Sequence, residues 1–249
     1  MDLGLRHKWV LITGGSKGIG LACAHSFAAE GANVRLAARS RDVLGAAARE
    51  IAAKHGVEAR MHEIDLRAPG SAERLAAEAG PIDVLVNNAG DMQGGSLGAI
   101  DEEKWRHAWE LKVFGFINLT RVVLAQMEAR GRGVIVNVIG MGGVSHSADY
   151  ILGAAGNAAL DGFTKAVGKG SVRHGVRVLG VHPGATRTER LVSLQRALAK
   201  RRFGDESRWE ELMRGQRIQE PEQVADTVVF LASERAAHLS GVVLNLTPT

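Results

Sequence analysis

The chain has 249 residues, 45% of them hydrophobic and 23% charged, an ordinary composition for a globular protein. Its formal charge of +4 and its 4% aromatic content argue against a nucleic-acid groove, and no apolar run is long enough to span a bilayer. A single cysteine, Cys23, rules out an intrachain disulfide; with no signal-like segment in residues 1–9, this fits a reducing cytoplasm, where the protein is expected.

Residues 9–12 read as a short buried strand that stops at Thr13 and enters a loop with glycines at 14, 15, 18 and 20. Residues 19–29 follow at helical spacing, with Cys23 read as core packing rather than as a nucleophile. Strand, glycine loop and helix together set a helix N-terminus against a phosphate, and the glycines let the backbone turn sharply and approach it. This segment therefore predicts dinucleotide binding. Residues 33–38 form a second strand, 41–54 a helix, and 59–64 a third strand ending at Asp65. Residues 71–79 form a short helix capped by Ser71, and 83–86 a fourth strand running into Asn87-Asn88-Ala89-Gly90. Residues 102–130 read as a long helical stretch with a break near its middle, followed by a fifth strand at 134–138. A helix at 151–173, a strand at 176–181, a helix at 221–233 opened by Pro221, and a strand at 242–246 complete the chain. The alternation predicts one α/β domain over residues 1–249. Its expected form is a Rossmann-like, doubly wound parallel sheet of about seven strands with helices on both faces and ligands at the carboxyl ends of the strands.

Residues 189–220 break the rhythm. They carry Arg190, Arg196, Lys200, Arg201, Arg202, Arg208, Arg214 and Arg217 interleaved with acids. An insertion at the strand carboxyl ends is expected to act as a substrate lid, with a solvated helical hairpin as the alternative.

The motifs fall in an order that resembles the short-chain dehydrogenase/reductase family over almost the whole chain. Thr13-Gly14-Gly15-Ser16-Lys17-Gly18-Ile19-Gly20 is similar to its TGxxxGIG loop, and Asn87-Asn88-Ala89-Gly90 to its NNAG. Pro183-Gly184 with Thr188 matches PGxxxT, with Thr186 inside it, and Asp65, followed by Leu66, sits where that family contacts adenine. The resemblance implies a nicotinamide cofactor held by Gly14, Ser16, Lys17, Gly18, Ile19, Gly20, Arg39, Asp65, Leu66, Asn88, Ala89, Gly90, Pro183, Gly184, Thr186 and Thr188, with no metal. Its type follows from charge. The second strand ends Leu36-Ala37-Ala38-Arg39, with no carboxylate for a ribose 2′-hydroxyl, while Arg39 and Lys17 offer cations suited to a 2′-phosphate. NADP(H) is therefore expected over NAD(H).

The family's chemistry rests on a Tyr-x-x-x-Lys pair, a serine and an asparagine. Counting from the flanking motifs, those positions fall on Gly153, Asn157, Gly140 and Lys112. The chain's one tyrosine, Tyr150, precedes Gly153 by three residues, a separation that shares a helix face. A phenol displaced by one turn could lean back toward the nicotinamide, with Lys112 supplying the charge of the missing lysine and Asn157 on the same face. Tyr150, Lys112 and Asn157 are the catalytic candidates, with Ser145, His146 and Ser147 nearby. The alternative makes Tyr150 a loop aromatic and Lys112 a surface or interface cation. Two functions stay open: an oxidoreductase acting on a small alcohol or ketone, or an NADP(H)-binding sensor or partner protein without turnover. The substrate is a small molecule, with no nucleic acid or membrane, and the resemblance implies a homodimer or homotetramer through the long helices.

Overall fold

The computed structural model describes residues 2–215 and 217–247. Seven parallel strands make one sheet in the order β3-β2-β1-β4-β5-β6-β7. They are β1 (Trp9–Thr13), β2 (Asn33–Ala38), β3 (Ala59–Glu63), β4 (Val84–Asn87), β5 (Gly133–Val138), β6 (Val176–Pro183) and β7 (Val243–Leu246). The central strands read as unbroken apolar runs because both faces are covered. Val10, Ile12, Val34, Leu36, Val84 and Val86 pack on one side beneath α1 (Gly18–Ala29), α2 (Arg41–His55) and α9 (Pro221–Ala232). Leu11, Ala37, Leu85 and Ile135 pack on the other beneath α3 (Ser71–Ala79) and α5 (Gly115–Ala129). Cys23 is fully buried in the first layer, and burial pushes its thiol up to about 12, which suits packing and not nucleophilic chemistry.

The chain winds outward from β1 in both directions, so the crevice lies between the carboxyl ends of β1 and β4. The glycine loop follows β1 and the Asn87–Gly90 turn follows β4, which sets the two motifs side by side. The break expected in residues 102–130 is a change of winding within a continuous helix. α4 (Glu102–Trp109) passes through a π-helical turn at Glu110–Phe114 into α5. β6 runs two residues further than expected because β7 pairs with it as far as Pro183↔Leu246. α7 (Ile151–Ser171) ends earlier than expected, in a short 3-10 turn that stops at the left-handed Gly175. The insertion forms α8 (Glu189–Phe203) and a 3-10 segment, Glu206–Met213. Among the described residues no helix is long and apolar enough to cross a membrane.

Candidate active site

The glycine loop and the Asn87–Gly90 turn are bonded into one unit. Thr13 Oγ1 accepts from the backbone N–H of Asn88 (2.9 Å) and of Ala89 (3.1 Å). Asn88 Nδ2 donates to the carbonyls of Thr13 (3.1 Å) and Gly14 (3.3 Å). Gly14 is left-handed (φ +66°), and a β-carbon on Gly20 would fall on the Gly14 carbonyl. The loop closes this tightly only with glycine at both positions. α1 starts at Gly18 with no side-chain cap and no acid in its first turn, so the helix N-terminus presents its amide donors without a competing negative charge.

Beside this loop lies a cavity of about 330 Å³. Ile19, Asn88, Gly90, Pro183, Gly184, Thr186 and Thr188 line it from the predicted cofactor set. Thr188 also caps α8, accepting from the Leu191 N–H at 3.3 Å, and the Gly18 position faces its methyl group. Ser16 is half-buried in the loop, and Ala89 joins it through its N–H. Asp65 accepts from the backbone N–H of Arg67, whereas the Leu66 side chain belongs to the core. Of the two cations read as phosphate partners, Arg39 is exposed at the end of β2, but Lys17 is drawn 2.9 Å from Glu189 at the start of α8. That pair, which the sequence reading missed, ties the insertion to the glycine loop.

The other end of the cavity is lined by the catalytic candidates. The π turn carries Lys112 inward, where it is 7% exposed. Its Nζ donates to the Val138 carbonyl at 2.6 Å and lies 4.3 Å from the Phe116 ring centre. Its stem fills the space beside Gly90, where a β-carbon would come within 2.6 Å of Lys112 Cδ. Burial pushes the Lys112 ammonium down to about 7, and the charge of Arg190 adds to the effect. The surface reading of Lys112 is thereby excluded.

Tyr150 stands immediately before α7. Its position is pinned where Gly95 donates to the Asp149 carbonyl (2.8 Å) and Ile151 donates to that of Gly95 (3.1 Å). The ring lies back along the helix. A β-carbon on Gly153 would fall inside it, and one on Gly142 would come within 2.8 Å of Cε1. Two glycines thus leave the room that the ring occupies. Asn157, two turns along, is buried, and its Nδ2 sits 3.0 Å from where a β-carbon of Gly140 would be. Asn157 Oδ1 and, across the cavity on α8, Gln195 Oε1 are buried acceptors without a partner. Behind Gly140, His182 contacts the Gly140 carbonyl (2.8 Å) and Asp161 Oδ1 (3.0 Å). Burial alone would push the Asp161 carboxyl up, but hydrogen bonds from Lys165 and His182 outweigh it and hold the group low.

Ser145, His146 and Ser147 are a correction. They are exposed on and just after the short α6 (Gly142–Ser145), and none lines the cavity, because that turn directs them to solvent. The residue that fills the gap is Arg190. Its Nη1 donates to Gly90 O and Asp91 Oδ1, both at 3.3 Å, and its Nη2 to Met92 O at 2.7 Å and Tyr150 Oη at 3.4 Å. In sequence Arg190 is one of many insertion cations. Its distinguishing mark is its position two residues after Thr188, in the first turn of a helix that starts at the strand ends.

A glycine loop at the strand-order reversal, an uncapped helix N-terminus and a side-chain-lined cavity beyond it define a dinucleotide-dependent class of protein. The family model described as short chain dehydrogenase matches residues 8–199, and the chain belongs to that family. L-sorbose reductase from Gluconobacter frateurii, solved with NADPH and L-sorbose, superposes with a TM-score of 0.89 at 32% identity, covering 99% of this chain and 97% of that one. An actinorhodin polyketide ketoreductase variant with NADPH gives 0.88 at 30% identity, over 96% and 95% of the two chains. The 3-oxoacyl-(acyl-carrier-protein) reductase FabG of Aquifex aeolicus is 30% identical over 250 residues, 99% of this chain and 98% of that protein.

Proposed function

We propose that the chain is an NADP(H)-dependent oxidoreductase that interconverts a small alcohol and its ketone, with Tyr150 giving and taking the proton. The observation that carries this reading is the Tyr150 ring lying over Gly153, in the same cavity as Lys112 and Asn157 and next to the glycine loop. The residues present fit the cofactor. Gly14, Gly18 and Gly20 with the start of α1 form a backbone cradle for the pyrophosphate, and Asn88, Ala89 and Gly90 close its side. Arg39 and Lys17 would face a 2′-phosphate, and the NADPH-bound relatives agree with that choice. Ser16 and Asp65 with Leu66 complete the adenosine end, and Pro183, Gly184, Thr186 and Thr188 the nicotinamide end. The unpartnered Asn157 Oδ1 suits a hydroxyl donor such as a ribose.

Bound NADP(H) supplies or accepts the hydride. In the reducing direction the Tyr150 O–H bond breaks, its proton goes to the substrate oxygen, and a phenolate is left behind; oxidation reverses this. Below about pH 7 Lys112 places positive charge in the cavity wall near the developing oxyanion, and Asn157 orients the groups around it. Residues 189–220 close over the substrate as a lid, with Met92, Leu191 and Leu194 supplying apolar contact and Gln195 an acceptor for a substrate hydroxyl. The same reading includes assembly as a homodimer or homotetramer, which light scattering tests. Gly140, which leaves the wall beside Asn157 without a hydroxyl, favours a second reading: an NADP(H)-binding protein without turnover. NADPH titration followed by NADPH oxidation over a panel of ketones separates the two. Saturable binding with turnover supports the enzyme, and binding without turnover across the panel supports the second reading.

A further inference from the structure

Lys112 and the phenol share a cavity, but Lys112 spends its ammonium on the Val138 carbonyl. Among the described residues the cation bonded to Tyr150 Oη is Arg190, and it arrives from the lid. We propose that Arg190 is the positioning residue that supports the Tyr150 phenol in place of the absent helix lysine, so that seating the lid completes the proton-transfer centre. This rests on the reading of Tyr150 as the proton donor.

The geometry favours such a role. A guanidinium is planar, permanently charged and able to hold several acceptors at fixed angles. Arg190 uses Nη1 on Gly90 and Asp91 and Nη2 on Met92 and Tyr150, so three of its four contacts lie on the loop after β4 and the fourth is the phenol oxygen. When the Tyr150 proton leaves, the charge left on Oη lies 3.4 Å from a cation already held in place. The preceding residue, Glu189, is bonded to Lys17 on the glycine loop. Two adjacent residues in the first turn of α8 therefore hold both walls of the crevice. Lifting α8 would remove the cation from the phenol and the carboxylate from the glycine loop together, coupling proton transfer to closure.

The other charged groups near the phenol are few. Asp91, half-exposed, opposes Arg190 directly, and Lys112 lines the cavity from the π turn. The Lys17–Glu189 pair lies at the rim, and His146 and Asp149 are exposed on the segment leading into α7. An electrostatic role for Arg190 makes a signed prediction, because Asp91 partly cancels its charge.

Tyr150 is the only tyrosine in the chain, so the ultraviolet absorbance of phenolate titrates this one group in the full-length protein without substrate. Tyr150→Phe serves as the blank, and circular dichroism confirms the fold at each pH. Arg190→Gln is expected to raise the midpoint, Arg190→Lys to recover part of the shift, and Asp91→Asn to lower the midpoint. Equal midpoints in the wild type and Arg190→Gln would overturn the proposal, as would shifts of the same sign in Arg190→Gln and Asp91→Asn, which mark a structural effect. Turnover separates this from the parent reading. If the midpoint shifts as expected but Tyr150→Phe retains full turnover, the contact is real and the proton-donor reading fails. If Tyr150→Phe loses turnover while the midpoint is indifferent to Arg190, the reverse holds.

Discussion

The loop beside the cavity is made of backbone, Gly14, Gly18 and Gly20 cross-bonded by Thr13 and Asn88, whereas the far end of the cavity is made of side chains from three separate segments, Lys112 on the π turn, Tyr150 and Asn157 at the start of α7, and Arg190 on α8. A backbone cradle tolerates almost no change, since a single β-carbon at Gly20 collides with the Gly14 carbonyl. A side-chain site has more latitude, because the Tyr150 ring occupies space that Gly142 and Gly153 leave open. One end is fixed by backbone geometry, and the other by which side chains reach it.

That contrast can be broken most directly at the loop. Gly20→Ala overpacks a closed turn, a change worth about 1–3 kcal/mol, and NADPH affinity should fall by about 5- to 150-fold. Calorimetric titration reads it, and unchanged affinity would mean that the loop does not hold the cofactor. At the far end, Gly153→Ala forces the Tyr150 ring out of its seat. A displacement on the order of 1 Å should lower kcat by about 10- to 100-fold while NADPH binding is retained. A fall in affinity with kcat intact would reverse the roles assigned to the two ends.

Cofactor choice sharpens the comparison further, because it depends on side chains at the backbone end. Lys17→Ala combined with Arg39→Ala should weaken NADPH by about 10-fold and leave NADH nearly unchanged, as expected for exposed charges contacting one phosphate. Competition of the two nucleotides at fixed ionic strength measures it.

The smallest effect concerns stability. The Lys112 ammonium lies at about 7 in the folded chain against 10.5 for an ordinary lysine. Between those values the unfolded chain binds a proton that the folded chain sheds, so the contribution of Lys112 to stability rises with pH across that window. Below about pH 7 the folded protein carries the full cost of the buried charge. Lys112→Met should stabilise the protein at pH 6 by about 1–3 kcal/mol after allowing for an unbonded Val138 carbonyl, and the gain should shrink toward pH 10.5. Denaturant unfolding at several pH values checks the sign. A destabilised variant at pH 6 would show that Lys112 is a structural residue first.

The strands were legible because buried parallel strands leave apolar runs and the glycine motifs mark where β1 and β4 end. The break expected near the middle of residues 102–130 is the π turn, which keeps the helix continuous while rotating Lys112 into the cavity. The lean of Tyr150 was legible from its three-residue offset, and the two glycines that permit it stand in the same stretch of sequence. Ser145, His146 and Ser147 were misread because nearness in sequence said nothing about the direction of a four-residue helical turn. Arg190 was flagged but not singled out among the insertion cations. Its role depends on contacts with Gly90, Asp91 and Met92, about a hundred residues away, and no local pattern reports them.

The central claim is that proton transfer has moved to Tyr150 while cofactor binding stays where it was. It is tested most directly by steady-state NADPH oxidation with Tyr150→Phe on a ketone that the wild type turns over, alongside NADPH titration of both proteins. The predicted result is a loss of about 10²–10⁴-fold in kcat with the NADPH Kd unchanged. Equal kcat values in the two proteins would contradict it.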